Sequence, residues 1–181
     1  MNPDTAHEAG ATHSGMTHAG MTHAGAARGA MNHYIRLAAM IVLSYIAMYA
    51  LMYAMVDKWD DVYPNINQAY MAALMTAPMV IIELALMGAM YENKTANMAI
   101  IIASVVALAL SWTMIRRQTA VGDAQFVRSM IPHHSGAILM CDGAKISDAE
   151  LKELCGRIVK GQQEEIDQMR AILARIEKPR S

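Results

Sequence analysis

Residues 123–141 read D-A-Q-F-V-R-S-M-I-P-H-H-S-G-A-I-L-M-C, from Asp123 to Cys141. Set on a helix and counted from Met130, the residues Met130, His133, His134, Ala137, Met140 and Cys141 fall at offsets 0, 3, 4, 7, 10 and 11. That spacing draws one stripe along one helix face. The stripe carries two imidazoles, two thioethers and a thiol. Imidazole suits copper, zinc or iron, and soft sulfur narrows the choice toward Cu(I). Pro132 lies inside the pattern, removes a backbone donor and crowds the turn before it, so the spacing predicts a kink at the His pair. The plain alternative is a core face, because Met, Ala, Ile and Cys at helical spacing commonly pack a core. Two adjacent histidines flanked by sulfur fit that alternative less easily.

Downstream, Asp142 and Gly143 read as a turn, and Ser147 with Glu150 forms an S-x-x-E capping box that opens a last helix. This helix is expected to run to about Glu177, with Pro179 beyond its end. Cys155, Val159, Gln162, Ile166, Met169 and Leu173 alternate by four and three, a coiled-coil-like seam. The seam offers Cys155 and Met169 to the His/Met face. Cys141 and Cys155 could serve as metal ligands or pair as a disulfide, and the sequence leaves both open. Two helices make a thin core, so the hairpin at 118–181 is expected to dimerise into a four-helix bundle.

Upstream lie three apolar runs, about Tyr34–Val56, Ala69–Tyr91 and Met98–Ile115. Each reaches the roughly 18–20 residues that cross a bilayer. Trp59, Tyr63, Tyr91 and Trp112 sit near the run ends, as interfacial aromatics do. Residues 34–117 are therefore read as a three-helix transmembrane region. Glu83 is expected mid-membrane, on a face shared with Met75, Met79, Met87 and Met90. An intramembrane carboxyl normally faces the bundle with a partner, and a tyrosine hydroxyl is the expected one. Tyr45, Tyr49 and Tyr53 step by four along the first span. Such a carboxyl can be structural glue between spans or part of a metal path, and glue is the commoner role.

Residues 1–33 are rich in Gly, Ala, Thr and His and repeat G-M-T-H-A at 15–19 and 20–24. Without large apolar residues other than Met, the segment is expected to be disordered. It lacks the basic start and apolar core of a secretory leader. His13, His18, His23, Met16 and Met21 make it a second, weaker soft-metal tract; the alternative is a plain spacer.

The motif M-I-P-H-H-x-x-A-I-x-M, followed about twenty residues on by I-V-x-x-Q-Q-x-E-I-x-x-M, resembles the domain-of-unknown-function 305 family. The matching residues are Met130, Ile131, Pro132, His133, His134, Ala137, Ile138 and Met140, then Ile158, Val159, Gln162, Gln163, Glu165, Ile166 and Met169. The likeness covers 123–175, and the three preceding spans resemble a membrane-bound branch of that family. The resemblance implies a small ferritin-like helical domain, an association with copper binding and tolerance, and the His pair and methionines as ligands.

The chain of 181 residues is 55% hydrophobic and 17% charged, with a mean hydropathy of +0.21. That is too apolar for an ordinary soluble domain. A net charge of −1 argues against a nucleic-acid partner. Methionine occurs 18 times and phenylalanine once, a bias toward polarisable sulfur or flexible packing. Neither cysteine sits in a C-x-x-C pair. No Glu is followed by His three residues on, as a di-iron site of the ferritin type needs, and no G-x-S-x-G or phosphate loop appears. The expectation is an all-α, membrane-anchored protein that is not an enzyme. It binds Cu(I) for tolerance, storage or delivery, needs no organic cofactor, forms a homo-dimer and works with a metal-transport partner. The alternative is a structural or interaction module with no metal role. The Arg116–Arg117 pair after the third span places the C-terminal hairpin in the cytoplasm and the tail outside, in a bacterial inner membrane.

Overall fold

The computed structural model describes residues 18–178, with side chains from His33 onward. Among the described residues every regular element is helical: α1 His18–Leu51, α2 Ile66–Leu86, α3 Lys94–Arg117, α4 Asp123–Gly143 and α5 Ala149–Ile176. Short 3-10 turns at Met52–Met55, Trp59–Asp61 and Gly88–Met90 join them.

The first three helices are long and apolar enough to cross a membrane, at His33–Met55, Ile66–Leu86 and Lys94–Arg117. Ile35, Val42, Leu43, Ile46, Ile82, Ile102 and Leu110 point away from the protein and stand exposed. In a bilayer, lipid would satisfy such side chains, and helices satisfy their own backbone bonds. α2 sits in the middle, packed on both α1 and α3, around Leu37, Val80, Leu84 and Tyr91. Side-chain caps start the helices: Asn65 accepts from the Gln68 amide before α2, and Asn93 from the Ala96 amide before α3. Arg116 and Arg117 close the last turn of α3, where cations complement the helix dipole.

Several expectations shift. α1 begins at His18, inside the stretch expected to be disordered to residue 33, because Ala19, Ala24, Ala26, Ala27 and Ala30 favour helix. α2 stops at Leu86 rather than near Tyr91. Glu83, expected mid-membrane, therefore lies in the last turn of α2. Met87 and Met90 fall beyond the helix, and Met75, Met87 and Met90 are 41–44% exposed, so the methionine ladder is not an interior stripe. A tyrosine does meet Glu83, but it is Tyr91, whose hydroxyl donates to Oε1 at 3.4 Å. The first-span tyrosines stitch elsewhere. Tyr45 donates to the Ala69 carbonyl at 3.3 Å, Tyr53 to the Tyr63 carbonyl at 2.8 Å, and the Tyr49 hydroxyl accepts from the Asn65 amide at 3.2 Å.

α4 and α5 form an antiparallel hairpin around Val127, Ile131, Ile138, Ile166 and Leu173. α4 stays helical through Pro132 and to Gly143, so Asp142–Gly143 is the end of the helix rather than a turn. Asp148, not Ser147, caps α5, accepting from the Leu151 amide at 2.8 Å. An ionised acceptor binds a helix N-terminus more strongly than a hydroxyl. Tyr63, from the loop between α1 and α2, packs against the hairpin core. Part of the cover for a thin two-helix core therefore comes from the membrane unit of the same chain.

Candidate metal site between the hairpin and the membrane helices

Adjacent residues on a helix point about 100° apart, so His133 and His134 leave α4 on different faces. The His134 ring is largely buried between α4 and α5. Its Nδ1 lies 2.9 Å from the Met130 carbonyl oxygen and its Nε2 lies 2.7 Å from Glu165 Oε2. Both nitrogens face partners inside the hairpin, and the ring does not line the cleft onto which His133 opens. His134 is a clamp between the hairpin helices. It stands apart from Met130, His133 and Met140, with which the sequence grouped it.

His133 faces the other way, into a cleft of about 560 Å³ where the hairpin meets the membrane helices. On the α4 side the cleft is lined by Met130, Pro132, His133, Gly136, Ala137 and Met140. On the membrane side it is lined by Met52 and Met55 from the turn after α1, and by Met71 from α2, with Asn65, Asn67 and Gln68 beside them. A Cβ at Gly136 would lie 3.1 Å from the Met55 carbonyl oxygen. Glycine there lets α4 approach the end of the first span closely enough to form the cleft. Asn67 donates to Gln118 and Ser129, while its own Oδ1 is buried without a hydrogen-bond partner.

A second cluster fixes the hairpin to the loop between α1 and α2. Ser135 is fully buried; its hydroxyl donates to Asp61 Oδ2 at 2.8 Å and accepts from the Asp57 amide at 2.9 Å. Arg170 of α5 donates to Asp61 Oδ1 at 2.6 Å. Asp61 is only 3% exposed, so its charge depends on these donors. Sequence reading missed Asp61, Ser135 and Arg170. Asp61 looked like one of several loop acids, and no spacing rule connects it to residue 170. The Lys58 ammonium adds a bond to Gln163 Oε1 at 3.3 Å.

Met130, His133 and Met140 therefore share the cleft, and the other bundle residues of the expected ligand set do not. Cys141 and Cys155 form a disulfide, with Cα atoms 5.3 Å apart, that ties the end of α4 to the start of α5. Pairing removes both thiols from the donor set. Met169 packs against the hairpin core. Among the described residues, no three His, Cys, Asp or Glu side chains come together as a metal cage; the sulfur donors at the cleft are thioethers. Of the tail candidates, His13 and Met16 lie outside the described residues. His18, Met21 and His23 fall on the first turns of α1, at the end remote from the cleft, and their side chains lie outside the described ones.

A family model described as a domain of unknown function (DUF305) matches residues 123–181. An uncharacterized protein of Acanthamoeba polyphaga mimivirus is 30% identical over 137 residues, which cover 74% of this chain and 88% of the viral protein. An alignment of that length cannot fit within residues 123–181, so the likeness extends into the membrane helices. No solved structure matches.

Proposed function

We propose, for a chain that belongs to the domain-of-unknown-function 305 family, that it is a membrane-anchored protein holding copper as Cu(I) in the cleft beside α4. Its role would be tolerance, storage or delivery, with the ion as cargo. The observation that carries this reading is the convergence of Met130, His133 and Met140 on one cleft at the membrane boundary. Thioether and imidazole are soft and borderline donors, the set that selects Cu(I) over hard cations. The cleft gathers no cluster of carboxylates that would favour calcium or magnesium. The orphaned Asn67 Oδ1 adds an acceptor that a cation or its bound water would satisfy.

We also place the hairpin on the oxidising side of the membrane, opposite to the expectation from Arg116–Arg117. The Cys141–Cys155 disulfide supports this, because disulfides persist in oxidising compartments. The basic residues weigh little: Arg28, Arg36 and Lys94 on one side face Lys58, Arg116, Arg117 and Arg128 on the other. Thioether donors suit such a compartment, since they are not consumed by disulfide formation. Dimerisation through the exposed Leu151 and Leu154 of α5 remains part of the proposal.

The test is copper retained by the full chain after purification in nanodiscs. The parent should retain copper, and a Met130→Leu/His133→Ala/Met140→Leu variant should lose it. A purely structural module draws its support from the Arg170–Asp61 and His134–Glu165 clamps, and it would show equal, negligible copper in both proteins.

A further inference from the structure

We propose that the metal site is bipartite: Met52, Met55 and Met71 of the membrane unit complete it opposite Met130, His133 and Met140 of α4. An ion bound there bridges the hairpin and the spans. This rests on the soft-metal reading above and adds ligands that lie outside the matched family segment.

Three observations carry it. The membrane-side methionines line the same cleft as His133. Met52 and Met55 are the ends of a 3-10 turn, in which side chains three apart eclipse one another. Both thioethers therefore stack on one side of the turn. Met52 is half-buried, but Met55 and Met71 on the membrane side and Met140 on α4 do little filling, being 57%, 39% and 59% exposed. A methionine used to plug a core gap is buried. Thioethers left open around an imidazole are placed for a ligand. Gly136 brings the two walls together at Met55.

The consequence is coupling. The hairpin is already tied to the α1–α2 loop by Arg170–Asp61 and Ser135–Asp61. An ion in the cleft adds a tie on the other flank of α4, so occupancy reports to the membrane helices as well as to the hairpin.

The experiment uses the full chain in nanodiscs, with the tail donors His7, His13, Met16, His18, Met21 and His23 replaced by Ser in every arm. Cu(I) affinity is read by competition with a chromogenic chelator. Met52→Leu/Met55→Leu/Met71→Leu conserves volume, so the fold is retained. It should weaken Cu(I) binding by about 10–100-fold, as should Met130→Leu/His133→Ala/Met140→Leu. Amide exchange across residues 130–140 should slow with Cu(I) in the parent and not in the membrane-side variant. Parent affinity in the membrane-side variant, with loss in the α4 variant, overturns the bipartite site and leaves the copper reading standing. A parent that binds no Cu(I) overturns both.

Discussion

His133 and His134 are neighbours in sequence, yet their ring centroids stand 6.1 Å apart with 63° between the ring planes. One ring opens onto the cleft, and the other is held by Met130 and Glu165. Their substitutions should separate accordingly. His133→Ala should lower Cu(I) affinity and leave thermal stability nearly unchanged. His134→Ala should cost about 1–2 kcal/mol, as the loss of a partly buried polar pair does, with a smaller effect on affinity. Equal losses of affinity and stability in both variants would show that the two rings act as one unit.

Arg170 and Asp61 hold the hairpin against the α1–α2 loop at 2.6 Å. Arg170→Ala leaves a buried carboxylate with only the Ser135 hydroxyl, and breaking a buried pair on one side costs about 3–5 kcal/mol. Arg170 is itself about one-third exposed, so the low end of that range applies. Hydrogen exchange should rise in residues 57–63 and along α4, while α1 to α3 stay protected. Uniform exchange, unchanged from the parent, would show that the pair is not the anchor.

The disulfide makes compartment a measurable property. In intact cells, a membrane-impermeant maleimide should label Cys141 and Cys155 only after a reductant is added outside. Labelling that needs permeabilised cells, with or without reductant, would place the hairpin in the cytoplasm.

At the opposite membrane end, Tyr91 donates to Glu83. Burial first, and the Glu83 charge second, hold the Tyr91 phenol above its ordinary value of 10.0. The folded state thus favours the protonated phenol. Its contribution to stability is present below pH 10 and is lost as pH rises past that value through the folded pKa. Glu83→Gln keeps an acceptor but removes the charge, so the Tyr91 phenolate should appear at lower pH. The Tyr91→Phe difference spectrum isolates that signal. Assembly and copper tolerance should survive Glu83→Gln, because the pair lies at the far end of α2 from the cleft. Loss of tolerance at normal protein level would assign the carboxyl a role in metal movement.

Much of this architecture was legible because it is local. Hydropathy runs gave the three spans, and the alternation through Val159, Ile166, Met169 and Leu173 gave the inner face of α5. The cleft was half legible. Helical spacing placed Met130, His133 and Met140 on one stripe, but it could not say that residues only 100° apart, such as His133 and His134, would divide between two neighbours. Met52, Met55 and Met71 read as ordinary span residues, because their closeness to α4 depends on the loop path and on Gly136. Asp61 and Arg170 are 109 positions apart, and no periodicity reaches across such a distance. The end of α2 is not legible, because apolar residues continue past Leu86, where the helix stops before Gly88.

The most direct measurement is Cu K-edge X-ray absorption on the full chain in nanodiscs, with the tail donors replaced by Ser and one equivalent of Cu(I) added. The predicted first shell is thioether sulfur with one imidazole nitrogen, and the nitrogen should disappear in His133→Ala but persist in His134→Ala. A shell of oxygen and nitrogen alone, or copper that washes out of the parent protein, would contradict a soft-metal site at this cleft.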